Sequence, residues 1–138
     1  GGAASAVIAV VRTYEVEEHR QLRGDAMADV MLQRYGRLFS SVLRAGDTAF
    51  RPSDDAFVAL MPGRSAGSFD YLADRFARLD EQMTQAGFAD FRTVIGLAVV
   101  EGGDAGAFHN ALGEAERNAD MNLPRRARAA RNGGGPSQ

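Results

Sequence analysis

The run Ala6-Val7-Ile8-Ala9-Val10-Val11 constrains the fold more than any other segment. It is wholly apolar and rich in β-branched residues, with no polar alternation, so the strand it forms must be covered on both faces and lie centrally in its sheet. Such a strand needs helices to cover it. From Ala26 onward, Met27, Val30, Met31, Tyr35, Leu38 and Val42 recur at three- and four-residue steps. That spacing predicts a long helix ended by Gly46, with Arg44 in its last turn complementing the helix dipole. Phe69, Leu72, Phe76, Leu79 and Met83 mark a second stripe that stops at Gly87. A last helix runs from about Asp104 to Met121 with Phe108, Leu112, Ala115 and Ala119 inward, and Pro124 closes it. Thr48 to Arg51 and Asp55 to Met61 read as two strands joined by the polar turn Pro52-Ser53-Asp54, and Arg92 to Ala98 reads as another strand. The polar segment Arg12 to Asp25 reads as a short helix and a turn at Gly24. The order strand, helix, helix, strand, strand, helix, strand, helix is an α/β sandwich: a central mixed sheet with helices on both faces and one antiparallel hairpin.

A chain of 138 residues, 45% hydrophobic and 25% charged, suits one domain. Residues 6–123 are assigned to it, residues 1–5 to a disordered lead or cloning remnant, and residues 124–138 to a basic, Gly-rich flexible tail. No apolar run approaches the ~20 residues of a membrane span, and the start has no signal-peptide pattern, so the expected setting is cytoplasmic, alone or as part of a larger membrane-associated protein. There is no cysteine, which excludes disulfides and thiolate chemistry. His19 and His109 stand apart and read as surface histidines. The net charge of -2 gives no general attraction to DNA, and the arginines of Arg125 to Arg131 read as a solvated terminus.

These elements, with the residues at their ends, resemble the GGDEF (diguanylate cyclase) family. Ser53-Asp54-Asp55-Ala56-Phe57 falls on the family's signature, Arg51 on the arginine common just before it, and Val58 to Pro62 on the strand that follows. Gly46-Asp47 falls on the R-x-G-D turn, Ala28-Asp29 on the G-D that opens the long helix, and Thr93 to Ala98 on the S-I-G-V-A strand. No gap is needed from Arg12 to Arg75. The resemblance implies a GGDEF-type sandwich whose hairpin carries a degenerate signature.

The same resemblance implies lost chemistry. Active members hold two metal ions and GTP, and hard magnesium ions want oxygen ligands. Here the first-strand metal aspartate falls on Arg12, the acidic position two residues later on Tyr14, the guanine-reading asparagine on Arg20 and its following aspartate on Gln21. The signature glycines fall on Ser53 and Asp54, the metal-binding glutamate on Ala56, and a phosphate-meeting lysine on Leu123. This pattern implies no cyclase activity, no catalytic residue, no metal site and no cofactor, with Asp55 left as a polar residue of the hairpin.

Arg44-Ala45-Gly46-Asp47, by contrast, keeps the family's product-binding RxxD motif, the I-site. A guanidinium forks onto the O6/N7 edge of guanine, and a carboxylate accepts from N1–H and N2–H. A planar arginine also stacks on a purine or meets a phosphate. The family completes this site with a second arginine on the helix after the hairpin, which falls on Arg75; Arg78, one turn on, is its substitute, and Arg51 and Arg64 are weaker candidates. The plain structural alternative is a helix cap, a turn aspartate and a solvated helix face.

The resemblance therefore implies a catalytically inert cyclic di-GMP receptor, similar to those of exopolysaccharide (Pel or cellulose) systems, that regulates exopolysaccharide production or biofilm formation. The partners it implies are cyclic di-GMP, a second copy in a homodimer or ligand-bridged dimer, and a protein of a polysaccharide synthesis or secretion complex. Two other readings are a nucleotide-free dimerisation or docking module, in which Arg44 and Arg75 pair with carboxylates, and a GTP-sensing regulatory domain. Family members commonly finish with a strand after a G-R-N turn, whereas Arg131-Asn132 here leads into Gly133-Gly134-Gly135.

Overall fold

The computed structural model describes residues 5–125 and 127. The elements follow the expected order: β1 (Ala6–Thr13), α1 (Val16–Arg23), α2 (Asp25–Ser41), β2 (Thr48–Ser53), β3 (Ala56–Pro62), a short 3-10 turn (Ala66–Ser68), α3 (Phe69–Gln85), β4 (Thr93–Val100) and α4 (Ala105–Met121). The four strands form one sheet in the order β2-β3-β1-β4. As its composition demands, β1 is central, pairing with β3 from Ala6↔Pro62 to Arg12↔Ala56 and with β4 from Ala6↔Val100 to Thr13↔Thr93.

All three pairings are antiparallel, so the expectation of a mixed sheet gives way to an antiparallel one. The physical reason is the hairpin. β3 folds back from β2 and takes the place beside β1, so β2, which runs in the same direction as β1, never pairs with it. The helices do lie on both faces, and β1 divides its side chains between them. Val7, Ala9 and Val11 pack with Met31, Tyr35 and Phe39 of α2 and Leu72, Phe76 and Leu79 of α3; Ile8 and Val10 pack with Ala111, Ala115 and Ala119 of α4.

Two details of α2 differ from the sequence pattern. Its buried face is Ala28, Met31, Leu32, Tyr35 and Phe39, while Met27 and Val30 are exposed. The helix is turned because Tyr35 and Phe39 must join an aromatic cluster with Phe57, Phe76 and Phe91, at ring separations of 5.0–5.6 Å. It also ends at Ser41 rather than near Gly46, tightening as Val42 N–H reaches Phe39 O and Leu43 N–H reaches Ser40 O. Arg44 therefore stands outside the helix. His19, expected at the surface, is buried, with Nδ1 3.6 Å from Asp90 and its ring beside Phe91.

α4 approaches the sheet through small side chains. Gly96 of β4 is buried beneath it, and Asn118 and Asn122 donate to the β4 carbonyls of Leu97 and Ile95, each at 3.0 Å. α3 is tied to the start of β4 by Asp80, which accepts from Thr93 N–H at 3.1 Å and Thr93 Oγ1–H at 2.8 Å. Burial pushes the Asp80 carboxyl above the ordinary aspartate value, and the Thr93 hydrogen bonds and the Arg92 charge offset only part of that. A raised folded pKa means that the stabilisation from this group is complete below the ordinary value of 3.8 and is lost as pH rises through the folded value. Asp80→Asn carries no charge at any pH. Melted in parallel from about pH 3 to about pH 7, the wild type is expected to lose melting temperature relative to Asp80→Asn as pH rises; a constant difference would contradict the burial argument.

The tail expected at 124–138 and the lead at 1–5 fall almost wholly outside the described residues, as does Arg131-Asn132. Among the described residues no helix is long and apolar enough to cross a membrane.

Candidate functional site

The turn that joins α2 to β2 is Arg44-Ala45-Gly46-Asp47. It closes with Asp47 N–H on Arg44 O at 3.0 Å, and Gly46 takes φ +95°, a left-handed conformation that a side chain would resist. The Asp47 carboxylate folds back into the turn, accepting Arg44 N–H at 2.8 Å and lying 3.8 Å from Arg44 Nε. Its side chain is 2% exposed, against 49% for Arg44. Asp47 thus shapes the turn and holds the base of Arg44. The far end of Arg44 donates from Nη2 to Pro62 O at 2.8 Å, at the end of β3.

Beyond Pro62 the chain runs through Gly63, at φ +80°, to Arg64. The Arg64 guanidinium stands 5.8 Å from the centre of the Tyr71 ring on α3, and that of Arg75 stands 5.9 Å from the same ring. Arg78 instead turns onto its own helix, 3.0 Å from Asp74 one turn back. Of the expected ligand residues, then, Arg44 and Asp47 share one turn, Arg75 shares Tyr71 with Arg64, and Arg78 is engaged elsewhere. Arg51 lies apart, over the Phe57 ring at 4.5 Å, donating to Asp54 O.

A second constellation lies at the end of β1. Arg12 is only 7% exposed, and its guanidinium meets carboxylates from two other parts of the chain: Asp120 Oδ1 at 2.9 Å and Glu116 Oε2 at 3.8 Å from α4, and Asp55 Oδ1 at 3.8 Å from the hairpin turn. The Asp120 contact is an ion pair whose N–H is not aligned for a hydrogen bond. Asp55 is held in turn by Ser53 Oγ–H at 2.6 Å, and its carbonyl accepts from Thr13 N–H. Beside this cluster is a cavity of about 450 Å³ lined by residues that include Arg12, Tyr14, Asp55 and Leu123. They come from three separate segments of the chain: Arg12 and Tyr14, Asp55, and Leu123. Nearby, Arg20 of α1 meets Asp29 at 3.0 Å, Asp54 at 3.5 Å and Asp25 at 3.6 Å.

The sequence profile described as "Diguanylate cyclase, GGDEF domain" matches residues 3–132. The chain belongs to the GGDEF family. Solved structures agree on the fold of this GGDEF domain. It is similar to the FimX GGDEF domain from Pseudomonas aeruginosa, with a TM-score of 0.70 and 17% identity over 86% of this chain and 74% of that one. It is similar also to the GGDEF domain of DgcB from Caulobacter crescentus, solved in complex with c-di-GMP, with a TM-score of 0.68 and 14% identity over 95% of this chain and 74% of that one. A third similar structure is the diguanylate cyclase SiaD with its activator SiaC from Pseudomonas aeruginosa, with a TM-score of 0.70 and 15% identity over 83% of this chain. This chain spans 45% of the SiaD chain. No curated protein matches the sequence.

The GGDEF domain therefore brings Arg12, Tyr14, Asp55 and Leu123, four positions that the resemblance set out above singles out, around one cavity. Three participants were not visible in the sequence. Glu116 and Asp120 announce themselves only as an i, i+4 pair on α4, a pattern any solvated helix shows. Tyr71 lies off the buried stripe of α3, one turn before Arg75, and its role emerges only when Arg64 is placed on the same ring.

Proposed function

We propose that this GGDEF domain is a cyclic di-GMP receptor that makes no cyclic di-GMP itself, with Arg44 and Arg75 as ligand contacts, Asp47 holding the turn beneath Arg44, and Arg78 as the substitute for Arg75 once released from Asp74. The observation that carries the reading is Arg12. A divalent cation needs oxygen ligands converging on vacant space. At this position a buried guanidinium already stands among Asp55, Glu116 and Asp120, so the residues present do not fit a magnesium ion, and no step of phosphoryl transfer is assigned to them. Arg20, at the guanine-reading position, is likewise held by three aspartates.

The product-binding turn, by contrast, has an exposed arginine on a fixed base. Arg75 has no carboxylate partner among the described residues, which favours a ligand over the docking reading that pairs both arginines with acids. The DgcB domain that this chain resembles in fold was solved with c-di-GMP. The output we propose, on the resemblance to inert receptors of this family, is regulation of exopolysaccharide production or biofilm formation from the cytoplasm, through a protein partner in a synthesis or secretion complex.

Isothermal titration of the full chain with cyclic di-GMP tests this reading. Saturable binding is expected, weakened about a hundred-fold by Arg44→Ala, which removes a charged fork. Asp47→Ala is expected to weaken binding similarly by releasing the turn. Incubation with GTP and magnesium should yield no cyclic di-GMP by chromatography. Absent heats, or binding indifferent to Arg44→Ala, would end the receptor proposal; product formation would end the claim of inactivity.

A further inference from the structure

We propose that Tyr71 is the stacking platform for a purine of the ligand and that Arg64 is a phosphate contact beside it, so that residues 64, 71 and 75 form the second half of the site begun by Arg44. This rests on the receptor reading above and names what completes it. Two guanidinium groups stand at nearly equal distances from one ring, 5.8 Å for Arg64 and 5.9 Å for Arg75. Neither has a carboxylate partner among the described residues, although nearly every other arginine near a site is paired: Arg12, Arg20, Arg23, Arg44 and Arg78 all meet aspartates. Two unneutralised cations held near one ring repel each other, and an aromatic face compensates only weakly. Their natural complement is a dianion that brings its own flat surface.

The local geometry fits that complement. Tyr71 is 54% exposed, an unusual place for a large aromatic ring on a helix whose other apolar face is fully used. Base stacking on an exposed aromatic is tolerant of which purine is present, so Tyr71 supplies affinity while an arginine fork and the turn supply the reading of guanine. The Nε–H of Arg64 is buried and has no hydrogen-bond partner, a rare condition for a charged group. Gly63 explains how Arg64 reaches this position. At φ +80° it turns the chain sharply after Pro62, and an added Cβ there would lie 4.0 Å from Arg44 Nη2, so the two arginines flank the same turn.

The ligand class is therefore a purine-bearing phosphodiester dianion, and the test uses cyclic di-GMP. By titration calorimetry, Tyr71→Ala and Arg64→Gln are each expected to weaken binding about ten-fold or more, while Tyr71→Phe, which keeps the ring, stays within about two-fold of wild type. The chain contains no tryptophan, so Tyr71→Trp gives a single indole reporter. Its fluorescence should be quenched as cyclic di-GMP stacks on it, with affinity retained. Thermal melts of each variant in the absence of ligand separate a binding loss from a folding loss, and the partly exposed positions should melt close to wild type. If wild type binds and Tyr71→Ala and Arg64→Gln bind equally well, this inference fails and the receptor reading stands. If wild type does not bind, both fail. Weakening by Arg64→Gln with no quenching of Tyr71→Trp would overturn the stacking platform.

Discussion

Gly96→Ala should destabilise the domain by about 3 kcal/mol or more, enough to remove much of the stability of a chain this size. A Cβ at residue 96 would fall well inside contact distance of the Ala115 carbonyl oxygen and the Ala119 nitrogen, and 3.0 Å from Ala119 Cα. All three are backbone atoms of α4, so no rotamer change relieves the clash. The helix must lift, and lifting stretches the Asn118 and Asn122 bonds to β4 and opens the layer of Ile8, Val10, Val58 and Ala98. Gly103→Ala is the control, because a Cβ there meets nothing within 4 Å. Urea unfolding of the two variants should show a large loss for residue 96 and a change within about 1 kcal/mol for residue 103. A Gly96→Ala protein as stable as the control would mean that α4 does not sit this close to the sheet.

Arg12→Ala is the other variant with a large expected effect, a loss of about 2–3 kcal/mol. Removing the guanidinium takes away the cation these acids share, and three carboxylates would then face one another across the space it filled. Their side chains are each about a third exposed, so water relieves part of the repulsion and the loss stays below that of a fully buried cluster. Arg12→Met separates charge from packing. It keeps the stem and should lose nearly as much as alanine, while Arg12→Lys should retain most of the stability. Equal stability of Arg12→Met and wild type in chemical denaturation would show that Arg12 contributes bulk rather than charge. The same arginine thus links stability to the proposed loss of chemistry: it joins β1, the hairpin turn and α4 where the family's catalytic site would lie.

Much of this was legible in the chain because local patterns carried it. The unbroken apolar run of β1 and the stripe of α3 each follow from short-range periodicity, and those elements appear where the patterns lie; the hairpin turn instead falls at Asp54-Asp55, because β2 runs on through Pro52 and Ser53 before the chain reverses. The phase of α2 is not legible in the chain, because Met27 and Val30 are as apolar as the residues that are buried. Only the demand of Tyr35 and Phe39 for the aromatic cluster turns the helix away from them. The burial of His19 is hidden for a related reason: a polar segment reads as exposed, yet Asp90 and Phe91, about seventy residues away, cover this residue.

The candidate site divides in the same way. The central strand, the order of the elements and the arginine–aspartate turn are readable from the chain, because each depends on residues close together in it. Tertiary structure alone decided which groups meet. It set Glu116 and Asp120 around Arg12, turned the Asp47 carboxylate inward to hold the base of Arg44, and placed Arg64 and Arg75 on the ring of Tyr71. Ion pairs and ring contacts act over a few ångströms in space, whereas a sequence pattern reports only separation along the chain.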